Sequence, residues 1–190
     1  MKKPASYCLF ETPLGWCGIA WSEGPDTAAP YAVIRFQLPV ATTEMTEERI
    51  RQTSGAPQPS PPPPELAEVI DRVGKHLRGE TQTFRDVAVD LTRAAVFARK
   101  VYEAAREIPA GRTITYADLA NNLGQPNAAR AVGQALGRNP IPLIIPCHRI
   151  LAAGGKPGGF SAYGGRVTKA KLLALEGAVV NLCLELGADG

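Results

Sequence analysis

At 190 residues, with 45% hydrophobic and 21% charged side chains, the chain has the composition of a globular protein with a substantial core, which excludes general disorder. No stretch approaches the roughly 20 apolar residues of a membrane span, and the opening MKKPASYCLFETPLG holds no apolar run of signal length, so a cytoplasmic protein without membrane contact is expected. The net charge of +3 is too small to imply a polyanionic partner by itself, but it is unevenly distributed.

Residues 7–37 read as short strands. YCLFE, WCGIAW and YAVIRFQL are rich in aromatic and β-branched residues and are separated by the turn chemistry of TPLG and SEGPDTAAP. Cys8 and Cys17 flank the turn at Thr12–Gly15, close enough in sequence to face each other, and are read as ordinary core residues. The proline-rich stretch GAPQPSPPPP (55–64) can form neither a helix nor a central strand, and is expected as an internal polyproline II spacer. A helix follows, with Pro64 in its first turn, Leu66, Val69, Ile70, Val73 and Leu77 on one face, and Gly79 as its stop. FRDVAVDL (84–91) alternates like a connecting strand, and a domain boundary is placed near Thr92.

The second half opens with a helix over about Ala94–Glu107, ended by Ile108-Pro109. Thr115 and Asp118 form a capping-box pattern for a short helix Tyr116–Leu123, which Gly124 breaks. Asn127 is placed to cap a further helix, Ala128–Leu136, terminated by Gly137. Two short helices joined by a glycine-containing turn have the spacing of a helix-turn-helix. The second carries Ala128, Ala129, Ala131, Gly133 and Ala135, with Arg130 as its only charge. Such small side chains permit close approach to another helix or to a DNA groove. The charge favours the groove: residues 111–171 hold eight basic residues (Arg112, Arg130, Arg138, Arg149, Lys156, Arg166, Lys169, Lys171) against Asp118 alone, while the remainder holds thirteen against seventeen acids. A basic C-terminal half beside an acidic remainder is the footprint of a polyanionic partner.

IPLIIPCHRIL (141–151) is the chemically distinctive segment. Leu143-Ile144-Ile145 reads as a short buried strand bracketed by Pro142 and Pro146, which puts Cys147 and His148 at the floor of a pocket. Burial raises a thiol's pKa, whereas the neighbouring His148 and Arg149 favour thiolate. Adjacent Cys and His side chains often point apart, so a bridging water and a carboxylate to orient the imidazole are expected. Glu176 is the nearest acid downstream. With only His76 and His148 beside the four cysteines, no zinc spacing exists. A Cys-His hydrolase would need an oxyanion hole and, usually, a base not adjacent to its cysteine.

PCHRI, the upstream RAVGQALGRNP and TYADLA, and the downstream GGFS, GG, K, LL and LEG together resemble the alkylguanine-DNA alkyltransferases, or methylated-DNA–protein-cysteine methyltransferases, through about residues 92–177 and more faintly before them. The resemblance implies an α+β protein of two domains. Residues 1–91 would form a supporting, ribonuclease H-like domain of a small β-sheet with helices. Residues 92–190 would form a mostly helical, winged helix-turn-helix domain that binds DNA and accepts the alkyl group. The implied activity is a single transfer from O-6-alkylguanine, and from O-4-alkylthymine, in double-stranded DNA, by a monomer without metal or cofactor.

By position, the resemblance makes Cys147 the acceptor, His148 its activator through a water, and Glu176 the holder of His148. Tyr116 would lie against the flipped base and give it a proton, and Asn139 would stabilise the active-site turn. Arg130 would fill the gap in the duplex, with Ala128, Ala129, Ala131, Gly133 and Thr115 also against DNA. Ser161, Phe160 and Leu136 would line the substrate pocket, Ser161 with neighbouring backbone amides contacting the guanine oxygen. Two departures alter the pocket lid: Phe160 stands where many members have tyrosine, and Ala162-Tyr163 are additional residues before the glycines.

Overall fold

The computed structural model describes residues 5–178; Cys183 lies outside the described residues. β1 (Ala5–Thr12), β2 (Gly15–Glu23) and β3 (Tyr31–Gln37) form an antiparallel sheet in that order. The first turn is closed by the Thr12 hydroxyl, which donates to the Gly15 carbonyl (2.7 Å) and accepts from Leu14 N–H (3.3 Å). Its register puts Cys8 opposite Ile19 and Phe10 opposite Cys17, so the two cysteines do not face each other directly; both are free thiols.

The central strand is buried on both faces, and Cys17, Ile19 and Trp21 point into the main core. The other face is covered by α1 (Thr43–Ser54), an element that the sequence analysis does not anticipate. Of its apolar residues only Ile50 is buried, so it shows almost no hydrophobic stripe. Its ends are nevertheless conventional: Thr42 caps the N-terminus by accepting from Met45 N–H, and Gly55 closes it at φ 72°. Gly18 lets this helix sit close, since a Cβ there would come within 3.0 Å of the Ile50 side chain.

The proline-rich segment is more than a spacer. It runs beside the edge strand β1, with Ser60 N–H donating to the Tyr7 carbonyl (2.8 Å). Proline is tolerated at a sheet edge because ladder donors are not all required there. Pro64 then starts α2 (Pro64–Leu77), which buries Leu66, Val69, Val73 and Leu77 as the periodicity predicts.

Residues 84–91 do not form the expected strand. Only Val89 bridges β3, at Val33. The reason is Arg106, whose Nη2 donates to the carbonyls of Phe84, Arg85 and Val87 at 2.6–2.9 Å and draws them towards α3 (Val96–Arg106), out of any ladder.

β4 (Ile114–Thr115) leads directly into α4 (Tyr116–Asn122), whose capping box is present as expected: Asp118 N–H donates to the Thr115 hydroxyl, and Thr115 N–H to the Asp118 carboxylate. After six connecting residues, α5 (Ala129–Gly137) packs on α4 and α3. Asn127 is not its cap; Ala128 holds that position without a side-chain bond. Leu143-Ile144-Ile145 is a buried turn and not a strand, closed by Ile145 N–H to the Ile141 carbonyl (2.8 Å). Leu143 adopts φ 76°, a conformation incompatible with strand. Cys147–Arg149 form one 3-10 turn, β5 (Ile150–Leu151) pairs in parallel with β4, and α6 (Gly165–Leu175) closes the fold. The larger of two apolar clusters among the described residues runs from Trp21 and Phe36 through Val73 and Tyr102 to Ile144, Cys147 and Leu172, across the middle of the chain.

Replacing Gly18 by Val should lower stability by about 1–3 kcal/mol, since the added volume collides with Ile50. In the double mutant with Ile50→Ala the two costs should be less than additive in urea unfolding; strict additivity would mean that α1 does not rest on Gly18.

Candidate active site

Cys147 is fastened to the core by the turn before it. The Asn139 amide donates to the Ile145 carbonyl (2.8 Å), and its oxygen accepts from Ile141 N–H (3.0 Å), so one side chain spans the whole Pro-bracketed turn. Leu143, Ile144 and Ile145 are all at most 2% exposed, and Cys147 is 7% exposed. Burial pushes the Cys147 thiol up. Against it act a hydrogen bond with Asn139, the charge of Lys169, and the backbone N–H groups of Cys147 and His148.

Lys169 is the unexpected member. It is fully buried on α6, and its Nζ donates to the Ile150 carbonyl (2.5 Å) at 5.9 Å from the centre of the Tyr116 ring. It forms no ion pair with a carboxylate among the described residues, and burial brings its pKa down to about 8 despite the opposing pull of Cys147. Tyr116, at the first position of α4, packs its ring by Gly158, where a Cβ would come within 3.3 Å of it. Burial and the nearby Cys147 raise its phenol above the usual range.

Glu176 organises the other side of the thiol. Its Oε1 accepts from His148 Nε2 (2.9 Å), His76 Nε2 (3.0 Å) and Arg149 Nη2 (2.8 Å); its Oε2 accepts from Arg149 Nε (2.9 Å) and Gly111 N–H (3.4 Å). Burial pushes the carboxyl up, but the bonds from His148, His76 and Arg149 outweigh it and hold the group far below the carboxylate range. His148 is fully buried and its pKa is lowered, first by burial, with Glu176 opposing. Donating from Nε2 leaves Nδ1 as the lone-pair nitrogen, and no protein group bonds it. His76 accepts Gln82 N–H at Nδ1 (3.1 Å), which assigns its proton to Nε2, towards Glu176.

The thiol opens onto a cleft of about 120 Å³ between the two halves of the chain. Asn139, Phe160 and Ser161 line it, joined by Ala162 and Tyr163. Leu136 does not; it is 4% exposed on the inner side of α5, because its helical position shares a face with Val132 and Ala135. On α5, Arg130 and Ala131 face outwards, while Ala128, Ala129 and Gly133 are half-buried. Thr115 is occupied with Asp118, to which its hydroxyl donates at 2.7 Å. Two of the eight basic residues counted towards a polyanion surface, Arg149 and Lys169, are buried and belong to the site.

His76 and Lys169 carry no site role in the sequence, and Arg149, read there only as a charge beside the thiol, is the buried partner of Glu176. A signal for both His76 and Lys169 exists: His76 extends the apolar row Leu66, Val69 and Val73, and Lys169 shares a helical face with Leu172, Leu173 and Glu176. A polar residue on a buried stripe marks a group with a specific partner. No group of His, Cys, Asp and Glu among the described residues has the arrangement of a metal site.

A cysteine held in the core, beside an imidazole that is hydrogen-bonded to a buried carboxylate, is an arrangement suited to thiol chemistry. The family model described as "6-O-methylguanine DNA methyltransferase, DNA binding domain" matches residues 96–178. The chain is 44% identical over 177 residues to the methylated-DNA–protein-cysteine methyltransferase of Methanosarcina acetivorans, covering 90% of this chain and 98% of that one. It is 33% identical over 170 residues to the constitutive enzyme of Bacillus subtilis, covering 89% and 92%. The crystal structure of Mycobacterium tuberculosis O6-methylguanine methyltransferase superimposes with a TM-score of 0.69 at 32% identity, covering 91% of this chain and 93% of that one. The M. tuberculosis OGT in complex with DNA does so with a TM-score of 0.67 at 31% identity, covering 90% and 92%. The chain belongs to the methylated-DNA–protein-cysteine methyltransferases, and its mixed fold of a small antiparallel sheet with helices is theirs.

Two outcomes follow from the electrostatics. Glu176→Gln should cost about 3–5 kcal/mol at neutral pH, because Arg149 loses its buried counter-charge. Since the folded pKa lies below the unfolded one, this contribution is full above the unfolded carboxylate range and fades on acidification, so the wild-type and Gln urea midpoints should converge at low pH. Lys169→Met should raise the Cys147 pKa further and slow its carboxymethylation at pH 7.5 by about tenfold, read from the mass of the Cys147 peptide. An unchanged rate would show that the cation does not act on the thiol.

Proposed function

We propose that this chain repairs alkylated DNA by moving the alkyl group from O-6 of guanine, and from O-4 of thymine, onto Cys147, once per molecule. The observation that carries the reading is the buried Cys147–His148–Glu176 arrangement, in which His148 keeps an unbonded Nδ1 while Nε2 is committed to Glu176. His148 takes the thiol proton at Nδ1 through a bridging water, and Glu176 stabilises the imidazolium. The thiolate attacks the alkyl carbon in line. A carbon–sulfur bond forms, the carbon–oxygen bond breaks, and its electron pair passes to the guanine oxygen. Tyr116 supplies a proton to the ring, so the base leaves neutral; the imidazolium proton balances the resulting phenolate, and Lys169 beside the ring steadies that charge. The chemistry requires neither metal nor cofactor. The thioether is not hydrolysed, so the protein is consumed.

The lesion lies inside a duplex, and rotating a nucleotide out costs a few kcal/mol. α4 and α5 act as a helix-turn-helix in a winged domain that begins near Thr92. The small residues Ala128, Ala129, Ala131 and Gly133 admit α5 to the groove, Arg130 fills the space left in the stack, and Thr115 lies near the backbone. Residues 1–91 form the supporting domain, ribonuclease H-like in kind. Phe160 and Ser161 hold the extruded base over Cys147. Exposed Arg112, Arg138, Lys156, Arg166 and Lys171 supply sequence-independent attraction to phosphates.

Incubation with a duplex containing O-6-methylguanine should add one methyl mass to the Cys147 peptide, with product equal to protein. Repeated turnover by limiting protein, or no mass gain, rejects the reading. Cys147→Ala should abolish transfer. Arg130→Ala should slow transfer from duplex more than from the free base, and equal losses would remove Arg130 from the stack-filling role.

A further inference from the structure

The first half of the chain carries the acidic surplus, yet its contribution to the Cys147 cleft is basic. Arg35 of β3 and Arg49 of α1 line it together with Phe160 and Ser161. Arg35 is half-buried, and its Nε is fixed by donating to the Thr53 carbonyl (3.1 Å) at the end of α1. Burial disfavours its charge, and the like charge of Arg93 adds to this; no carboxylate acts on it. Arg138, at the end of α5, does not line the cleft, although its charge acts on the same Tyr102 hydroxyl as that of Arg35. Arg49 is exposed.

Elsewhere on this half the arginines are neutralised: Arg51 pairs with Glu48, Arg72 with Asp86, and Arg85 with Glu107. Neither Arg35 nor Arg49 pairs with a carboxylate among the described residues. Uncompensated guanidinium groups gathered at one opening make a site for an anion, because their planar donor forks match phosphate and carboxylate oxygens.

We propose that Arg35 and Arg49 form an anion site at the rim of the Cys147 cleft, which holds an anionic oxygen group that damaged DNA brings there. This rests on the alkyl-transfer reading above. Two groups have the required chemistry. One is a phosphate of the strand drawn towards the cleft as the nucleotide rotates out; the other is a carboxylate on the adduct itself. In either case the first half of the chain takes part in substrate recognition and is not only a support.

The experiment compares full-length wild type, Arg49→Ala, Arg49→Glu and Arg35→Ala, with circular dichroism melting to establish folding. Transfer to Cys147 is timed with three substrates: duplex O-6-methylguanine over a salt series, duplex O-6-carboxymethylguanine, and free O-6-benzylguanine. Arg49→Ala should slow transfer from methylated duplex at least fivefold more than from free base, and reduce the salt slope of duplex binding by about one. Arg49→Glu should be worse, and that pattern identifies a phosphate. If instead the salt slope holds and only the carboxymethyl-to-methyl rate ratio falls, by fivefold or more, the anion is the adduct carboxylate. The proposal is overturned if duplex affinity, salt slope and adduct preference all match wild type, or if free-base and duplex rates fall in parallel. Wild type that transfers nothing to Cys147 would reject the alkyl-transfer reading instead, and so the two failures are distinguishable. Should Arg35→Ala melt early, the two Arg49 variants decide.

Discussion

The structure turns on one buried carboxylate. Glu176 sits in the core at 8% exposure, and an ion so placed is tolerated only when donors surround it. Those donors come from three parts of the chain: His76 of α2, Gly111 before β4, and the His148–Arg149 turn. The bonds that compensate the charge therefore also dock α2 against the second half and set the register of the turn that bears Cys147. Arg149 completes the arrangement by donating from Nη1 to the Ile108 carbonyl (2.5 Å), at the end of the segment that follows α3. Structural and chemical roles are inseparable here. The proton that His148 commits to Glu176 is what leaves its other nitrogen basic.

A second constraint concerns the thiol. Seating Cys147 in the core keeps bulk water away from it but works against ionisation, since desolvation favours the neutral form. The site answers with nearby dipoles and one charge: the Asn139 amide, two backbone N–H groups and Lys169. Lys169 is itself disfavoured by burial, so thiolate and ammonium each lower the cost of the other. The backbone bears part of the load as well. Leu143 holds φ 76°, a conformation that costs a non-glycine residue of the order of 1 kcal/mol or more, and its fully buried side chain together with the two Asn139 bonds maintains it.

Local signals in the sequence were strong where structure depends on local chemistry. The hairpin, α2, the Thr115–Asp118 capping box and the Pro-bracketed cysteine are legible because turn residues, caps and periodicity act within a few positions. What was not legible depends on distant partners. Residues 84–91 alternate like a strand but surrender their carbonyls to Arg106. α1 has sound caps and almost no apolar stripe, and what packs it is distant: Gly18, Tyr7 and Ala20 of the sheet around Ile50. Leu143–Ile145 has strand composition, and Asn139 folds it into a turn. In the site, Cys147, His148 and Glu176 are readable as a set. His76 is a hundred residues from its partner and occupies a position that periodicity assigns to an apolar side chain. Charge counting has the same weakness, for it includes Arg149 and Lys169 on a surface that they do not reach, and it passes over arginines in the acidic half that line the cleft.

The single-use chemistry explains why so enclosed a site suffices. An enzyme that must release a covalent intermediate needs a second water, a path for it and groups to activate it. A thiol that keeps its alkyl group needs none of these, so on the proposed reading Cys147 can serve as acceptor from within the core cluster that also holds Ile144 and Ile145. The demands then fall on delivery. On that reading the base must be brought to the cleft, and recognition falls to the helix surface around Arg130 and to whatever charge borders the opening. Residues from both halves of the chain meet at that border, and Glu176 behind it ties the same two halves together. Recognition at the mouth and ionisation at the floor thus depend on one interface, and a change that loosens the docking of α2 should be felt at Cys147 even though α2 lies outside the cleft.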